Sequence, residues 1–131
     1  MPEHVNISPK QGVAEIVADG QVTIQHMKDS WEKVAVSYKS NSISGLLYDV
    51  RQVTQPPNSD DLREFAEQTS KIEQFQGIRV SLVTSEDSAF PHSLLTATAN
   101  RLGQLIRVFR NRQVALKWLS DEHNGDSFRE D

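Results

Sequence analysis

Apolar and polar residues change their spacing several times along this chain, and each change marks a new element. Near the amino terminus Val5 and Ile7 alternate with polar neighbours, Ser8-Pro9-Lys10-Gln11-Gly12 supplies turn chemistry, and a second run extends from Val13 to Ala18. That is the pattern of a β-hairpin. Asp19-Gly20 reads as the end of the second strand. The spacing then lengthens: Ile24, Met27, Trp31, Val34, Ala35 and Tyr38 share one face of a helix that Thr23 is placed to cap. The polar stretch Lys39–Ser44 ends this helix, and Gly45 leads into Leu46–Val50. The near-continuous apolarity of that run predicts a central strand covered on both faces.

Arg51–Asn58 reads as a loop, because Pro56-Pro57 lacks donors and fixes φ. A second helix presents Leu62, Phe65, Ala66, Thr69, Ile72 and Phe75, with Asn58 or Ser59 as its cap and Asp60, Asp61 and Glu64 near its positive end. Gln76-Gly77 stops it, and Ile78–Val83 is the next strand. After a polar loop, Thr84–Ser88, a third helix starts at Pro91, capped by Asp87 or Ser88, and buries Leu94, Leu95, Ala99 and Leu102. Phe90 is placed to staple its start against Leu94 or Leu95. Gly103 ends that helix, Leu105–Phe109 form the last strand, and Asn111 caps a short helix with Val114, Ala115, Trp118 and Leu119 on one face. The order is ββαβαβαβα, which predicts an α/β fold: a mostly parallel mixed sheet of about five strands, an N-terminal hairpin and four helices.

Several of these segments, taken in order, resemble the SpoIIAA-like group of STAS-related proteins. They are the Gly20 turn before a Thr-initiated helix, the strand Leu46-Leu47-Tyr48-Asp49-Val50-Arg51, the strand entry Gly77-Ile78-Arg79-Val80, and the ending Ile106-Arg107-Val108-Phe109-Arg110 through Ala115-Leu116-Lys117-Trp118-Leu119. The match covers residues 4 to 119. The resemblance implies a SpoIIAA-like (STAS-like) domain that works as a non-enzymatic regulatory or protein-interaction module. Anti-anti-sigma factors, relatives of this group, carry a phosphorylatable serine where a loop enters the second helix, in an Asp-Ser-Ser-Gly type motif. The stretch here is Pro57-Asn58-Ser59-Asp60-Asp61, which sets Ser59 near the regulated position but lacks the glycine and adds two carboxylates. Lipid-carrying CRAL-TRIO domains are a more distant relation and are longer.

The chain of 131 residues suits one domain, residues 1–120, followed by a flexible acidic tail over 121–131. Lys+Arg 14 against Asp+Glu 18 leaves a net charge of −4, which argues against a dedicated nucleic-acid binder. The absence of cysteine removes disulfides, thiol nucleophiles and thiolate metal sites. No secretory h-region and no membrane-length apolar run is visible, so the expected address is the cytoplasm.

Candidate chemistry is sparse. Open α/β sheets bind ligands beyond the carboxyl ends of their strands, which singles out the loops after Gly20, Asp49, Thr84 and Arg110. Asp49 and Arg51 stand at the end of the central strand, where Arg51 could fork onto a partner carboxylate or Asp49 could serve the local backbone. With Ser59, Ser85 and Arg110 they form the candidate interaction or regulatory set. His4, His26, His92 and His123 lack metal-ligand spacing, no glycine-rich phosphate loop occurs, and Ser85, Asp87, Ser88 and His92 lack a nucleophile elbow. No cofactor, metal or catalytic residue is therefore assigned. Arg101, Arg107, Arg110, Arg112 and Lys117 form a basic run, which strand alternation divides between faces. The expected partner is another protein, with a homodimer admitted. The alternative is a small apolar, lipid or anionic ligand, an apolar one lying in a cleft beside Tyr38, Phe90 and the helix from Pro91. An enzyme using Asp49, Arg51, Ser85 and His92 ranks below both.

Overall fold

The structure, a computed structural model, describes residues 3–8, 12–41, 43–75 and 77–120. The expected turn at Pro9–Gln11, the stop at Gln76, the tail over 121–131 and the side chain of Tyr38 lie outside what is described. Ten elements follow in order: β1 (Glu3–Ser8), β2 (Val13–Gln21), α1 (Ile24–Asn41), β3 (Gly45–Gln55), α2 (Ser59–Ser70), a 3₁₀ turn (Glu73–Phe75), β4 (Arg79–Val83), α3 (His92–Arg101), β5 (Leu105–Phe109) and α4 (Arg112–Ser120).

The strands form one sheet whose spatial order, β1-β2-β3-β4-β5, is also their sequence order. β1 returns antiparallel onto β2, and each later strand adds parallel to the one before it. Crossovers between parallel strands keep a fixed hand, so a sheet growing in one direction receives every crossover helix on the same face. The burial pattern obeys this rule. Ala14, Ile16, Leu46, Tyr48, Val50, Val80, Leu82 and Ile106 pack with Met27 and Trp31 of α1, Leu62 and Phe65 of α2, and Leu95 and Ala99 of α3. The alternate strand residues Val13, Leu47, Val83 and Phe109 meet Ala115, Trp118 and Leu119 of α4 alone.

At the centre of the larger cluster Trp31 makes edge contacts with Tyr48, Phe65 and Phe75, with ring centroids 5.6, 5.1 and 5.4 Å away. These arrangements suit the ring quadrupoles. On the other face α4 settles so closely on β3 that a Cβ at Gly45 would lie 3.0 Å from Leu119 Cδ2, and the leucine side chain would have to give way by a few tenths of an ångström to admit it.

Five local expectations are corrected. β3 continues through Arg51–Gln55, where a loop was expected, because β2 continues beside it to Gln21. Register shifts occur between Val17 and Asp19 and between Gly20 and Gln21, and Gly20 (φ 66°) sits inside the paired strand instead of ending it. α2 ends at Ser70, and Phe75 reaches the core from the 3₁₀ turn. β4 begins at Arg79, one residue later than expected, with Ile78 buried beside it. α3 has Pro91 as its N-cap with no side-chain cap bond, so neither Asp87 nor Ser88 fills that role.

The start of α1 follows expectation and adds a detail. Thr23 Oγ1 accepts from the His26 backbone N–H (3.2 Å), while the Thr23 N–H donates to His26 Nδ1 (3.1 Å). This is a capping box with histidine in the place usually held by Glu or Gln.

Candidate functional site

The loops leaving β3, β4 and β5 gather at the carboxyl end of the sheet, where the expected candidates lie. Asp49 is buried, and Arg51, two residues on, shares its side of the strand. The guanidinium donates from Nε to Oδ1 (3.0 Å) and from Nη2 to Oδ2 (2.8 Å), and the Arg51 backbone N–H adds a third bond to Oδ1 (3.1 Å). A second bidentate pair stands close by: Arg112, opening α4, donates to both carboxylate oxygens of Glu15 on β2 at 2.9 and 2.7 Å. The two pairs sense one another. The Asp49 hydrogen bond raises the Arg51 pKa, and the charges of Glu15 and Arg112 act on it in opposite directions. The Glu15 hydrogen bond likewise raises Arg112, helped by the charge of Asp49. Sequence reading finds Asp49 and Arg51 but not Glu15 and Arg112, because 97 positions separate the latter and only the strand register brings them together.

The β4–α3 loop is strapped to the extended end of β3. Ser85 donates to the Arg51 carbonyl (3.3 Å), Ser88 donates to the Val50 carbonyl (2.6 Å), and the Ala89 N–H donates to the Val53 carbonyl (2.9 Å). The serine hydroxyls of the supposed nucleophile set therefore serve the backbone. His92 has its pKa lowered by burial and then by the positive charge of Arg110. Arg110 itself is exposed. Ser59 is also exposed and occupies the first position of α2, while Asn58 takes the cap by accepting from the Asp61 N–H (2.8 Å). The structure thus joins Asp49, Arg51 and Ser85 in one bonded group and leaves Ser59 and Arg110 outside it.

Phe90, expected to line an apolar cleft with Tyr38, lies in the core instead. Phe90 is buried with its ring 5.8 Å from Tyr48 and belongs to the same cluster as Leu95, the position a hydrophobic staple would use. A hollow of about 340 Å³ opens instead between α1 and α2, lined by Trp31, Ala35, Phe65 and Ile72 and rimmed by Lys28, Glu32, Gln68 and Thr69.

One buried polar group was not foreseen. Tyr48, wholly buried, donates from its hydroxyl to Glu3 Oε2 (2.6 Å), and Glu3 Oε1 has no hydrogen-bond partner of good geometry. Burial raises the Glu3 pKa against the opposing effects of Ser30, Tyr48 and His26. Burial raises the Tyr48 pKa as well, reinforced by the Glu3 charge and the shared hydrogen bond. Among the described residues no His, Asp and Glu side chains group as metal ligands, and no helix is long and apolar enough to cross a membrane.

No family model and no curated protein matches the sequence. Solved structures do match the fold. An uncharacterised protein of the DUF3478 family with a SpoIIAA-like fold, from Shewanella loihica PV-4, superposes with a TM-score of 0.57 at 15% identity, covering 89% of this chain and 91% of that one. The anti-sigma factor antagonist SpoIIAA in its unphosphorylated form superposes with a TM-score of 0.57 at 10% identity, covering 88% and 94%. The chain has a SpoIIAA-like α/β fold.

Proposed function

We propose that this SpoIIAA-like domain is a non-enzymatic, cytoplasmic regulatory module whose protein partner docks at the carboxyl end of the sheet, over Ser59, Ser85 and Arg110. The observation that carries the reading is the use made of the polar groups there. Asp49 and Arg51 neutralise each other, Glu15 and Arg112 do the same, and Ser85 and Ser88 hold β3, which leaves a stiff platform with Ser59 and Arg110 exposed at its rim. The sequential strand order argues the same way. Doubly wound sheets bind cofactors in the crevice created where strand order reverses, and the order β1-β2-β3-β4-β5 has no reversal. A phosphate on Ser59 would gain from the α2 dipole yet meet Asp60 and Asp61, and so would act by repelling a partner.

Site-specific photo-cross-linking tests the reading. Probes at Ser59 and Arg110 should capture a common partner, a probe at Lys71 beyond the far end of α2 should not, and Ser59→Asp should abolish capture from Arg110. Equal capture from Lys71, or capture unaffected by Ser59→Asp, would overturn it. A second reading, a small apolar ligand, is favoured by the hollow between α1 and α2, and native mass spectrometry of the purified chain would reveal such a ligand.

A further inference from the structure

At the opposite side of the molecule from β5, strand β1 ends the sheet and, among the described residues, is paired on one side only, with β2. Edge strands direct half of their N–H and C=O groups outward, a template for a further strand, and sheet proteins usually blunt such edges with charge or proline. The six residues of β1, EHVNIS, carry neither lysine nor proline within the strand, and the one carboxylate, Glu3, is turned inward onto Tyr48. Above this edge α1 overhangs a groove of about 520 Å³ lined by Val5, Ile7, Glu32, Lys33, Val36 and Ser37. Val36 is 65% exposed, more than any other large apolar residue described. Its neighbours Glu32 and Lys33 carry opposite charges on one helical turn.

An occupant must therefore offer a strand edge, apolar side chains on one face, and paired charges of both signs. A second copy of this chain offers all three. A two-fold axis brings a surface onto itself, so a patch with an apolar centre and one charge of each sign beside it is self-complementary: Glu32 meets Lys33 of the second copy, and Lys33 meets its Glu32. We propose that the chain forms a two-fold homodimer in which β1 pairs antiparallel with β1 of the second copy, continuing the sheet across both protomers, while Val36 of each α1 closes over the other's groove.

The pleat restricts the register. Residues opposite one another in an antiparallel pair share a face, and Val5 and Ile7 lie on the α1 face while His4 and Asn6 are exposed on the other. The axis must then pass beside a residue, not between two. Placing it beside Asn6 sets Val5 opposite Ile7 of the second copy, the match of apolar with apolar, and brings the two Asn6 side chains together.

Sedimentation of the full chain should give twice the monomer mass, and a monomer at every attainable concentration would overturn the proposal. Val36→Lys, at an exposed position where Glu32 four residues earlier supports the helix, should leave the circular dichroism spectrum unchanged and raise the dimer dissociation constant at least about tenfold. An unchanged constant would place any dimer elsewhere and overturn the proposal. Because the chain has no cysteine, Asn6→Cys supplies a clean register probe. It should cross-link copy to copy under mild oxidation, whereas Lys71→Cys should not, and a dimer that fails to cross-link at Asn6 overturns the β1 pairing. If the chain is monomeric and octanoate shifts only the Val5, Ile7 and Val36 resonances, the groove belongs to a small apolar ligand and not to a second copy.

Discussion

One face of the sheet is covered by three helices and the other by a single short one, and the same strands answer the two covers with different chemistry. Among the described residues the α1–α3 side holds 24 buried apolar residues and the α4 side seven. The larger cluster is built on aromatic contacts around Trp31. The smaller one reaches β2 only at Val13, and beyond that residue Glu15–Arg112 and Asp49–Arg51 take the place of packing. Even the aromatic at its heart, Trp118, is flanked by cations, with Arg79 and Arg107 5.1 and 5.8 Å from the ring centroid. Cover, not strand sequence alone, decides whether an alternate row of residues is oily or ionic.

The sharpest way to break this comparison is to remove the two tryptophans. Trp31→Ala should destabilise by about 5 kcal/mol and Trp118→Ala by about 3, the two ends of the range for aromatic truncation in a core. Urea denaturation would measure both, and equal losses would erase the distinction between the faces. Next in size is Arg51→Ala, which strands the buried carboxylate of Asp49. We expect about 2 kcal/mol, less than the full cost of breaking a buried pair because the Arg51 side chain is 36% exposed and water can partly replace it. A double-mutant cycle with Asp49→Ala should show that the two effects are not additive.

The larger face has one ionic exception, and pH isolates it. Burial lifts the Glu3 pKa above 4.5, so the stability that Glu3 supplies is complete below the unfolded value and is lost as pH rises through the raised folded value. Glu3→Gln can still accept the Tyr48 hydroxyl and should lack this step. Relative to it, the wild type should lose stability on passing from acid to neutral pH, and parallel curves for the two proteins would count against a titrating Glu3. The smallest effect is local: Arg110→Ala removes the charge that helps depress His92 and should move its pKa back toward 6.5 in an NMR titration.

Element order, the hairpin, the central strand and the Thr23, Asn58 and Asn111 caps were legible because each depends on residues a few positions apart. The full length of β3 was not, because the register shift breaks the period of two: buried positions run Leu46, Tyr48, Val50 and then Val53, and the odd step disguises Arg51–Gln55 as a loop. The candidate site was legible as a place but not as a bonding pattern. The pair was read either as a fork onto a partner carboxylate or as Asp49 serving the local backbone; Asp49 does accept the Arg51 backbone N–H, and it also takes both arms of the fork. Glu3–Tyr48 and Glu15–Arg112 join residues 45 and 97 positions apart, a separation that only the assembled register can close.

The sequential strand order also governs how the molecule can be assembled. Every strand after the first finds its neighbour already made, so the sheet can be extended one strand at a time as the polypeptide emerges, each crossover helix arriving in time to cover the row just laid down. The opposite row has no such attendant. Val13, Leu47, Val83 and Phe109 stay bare until α4, the last element among the described residues, is complete. A nascent chain halted at Asn111 would present this apolar strip on a sheet already formed, so the arrival of α4 is the step that covers it.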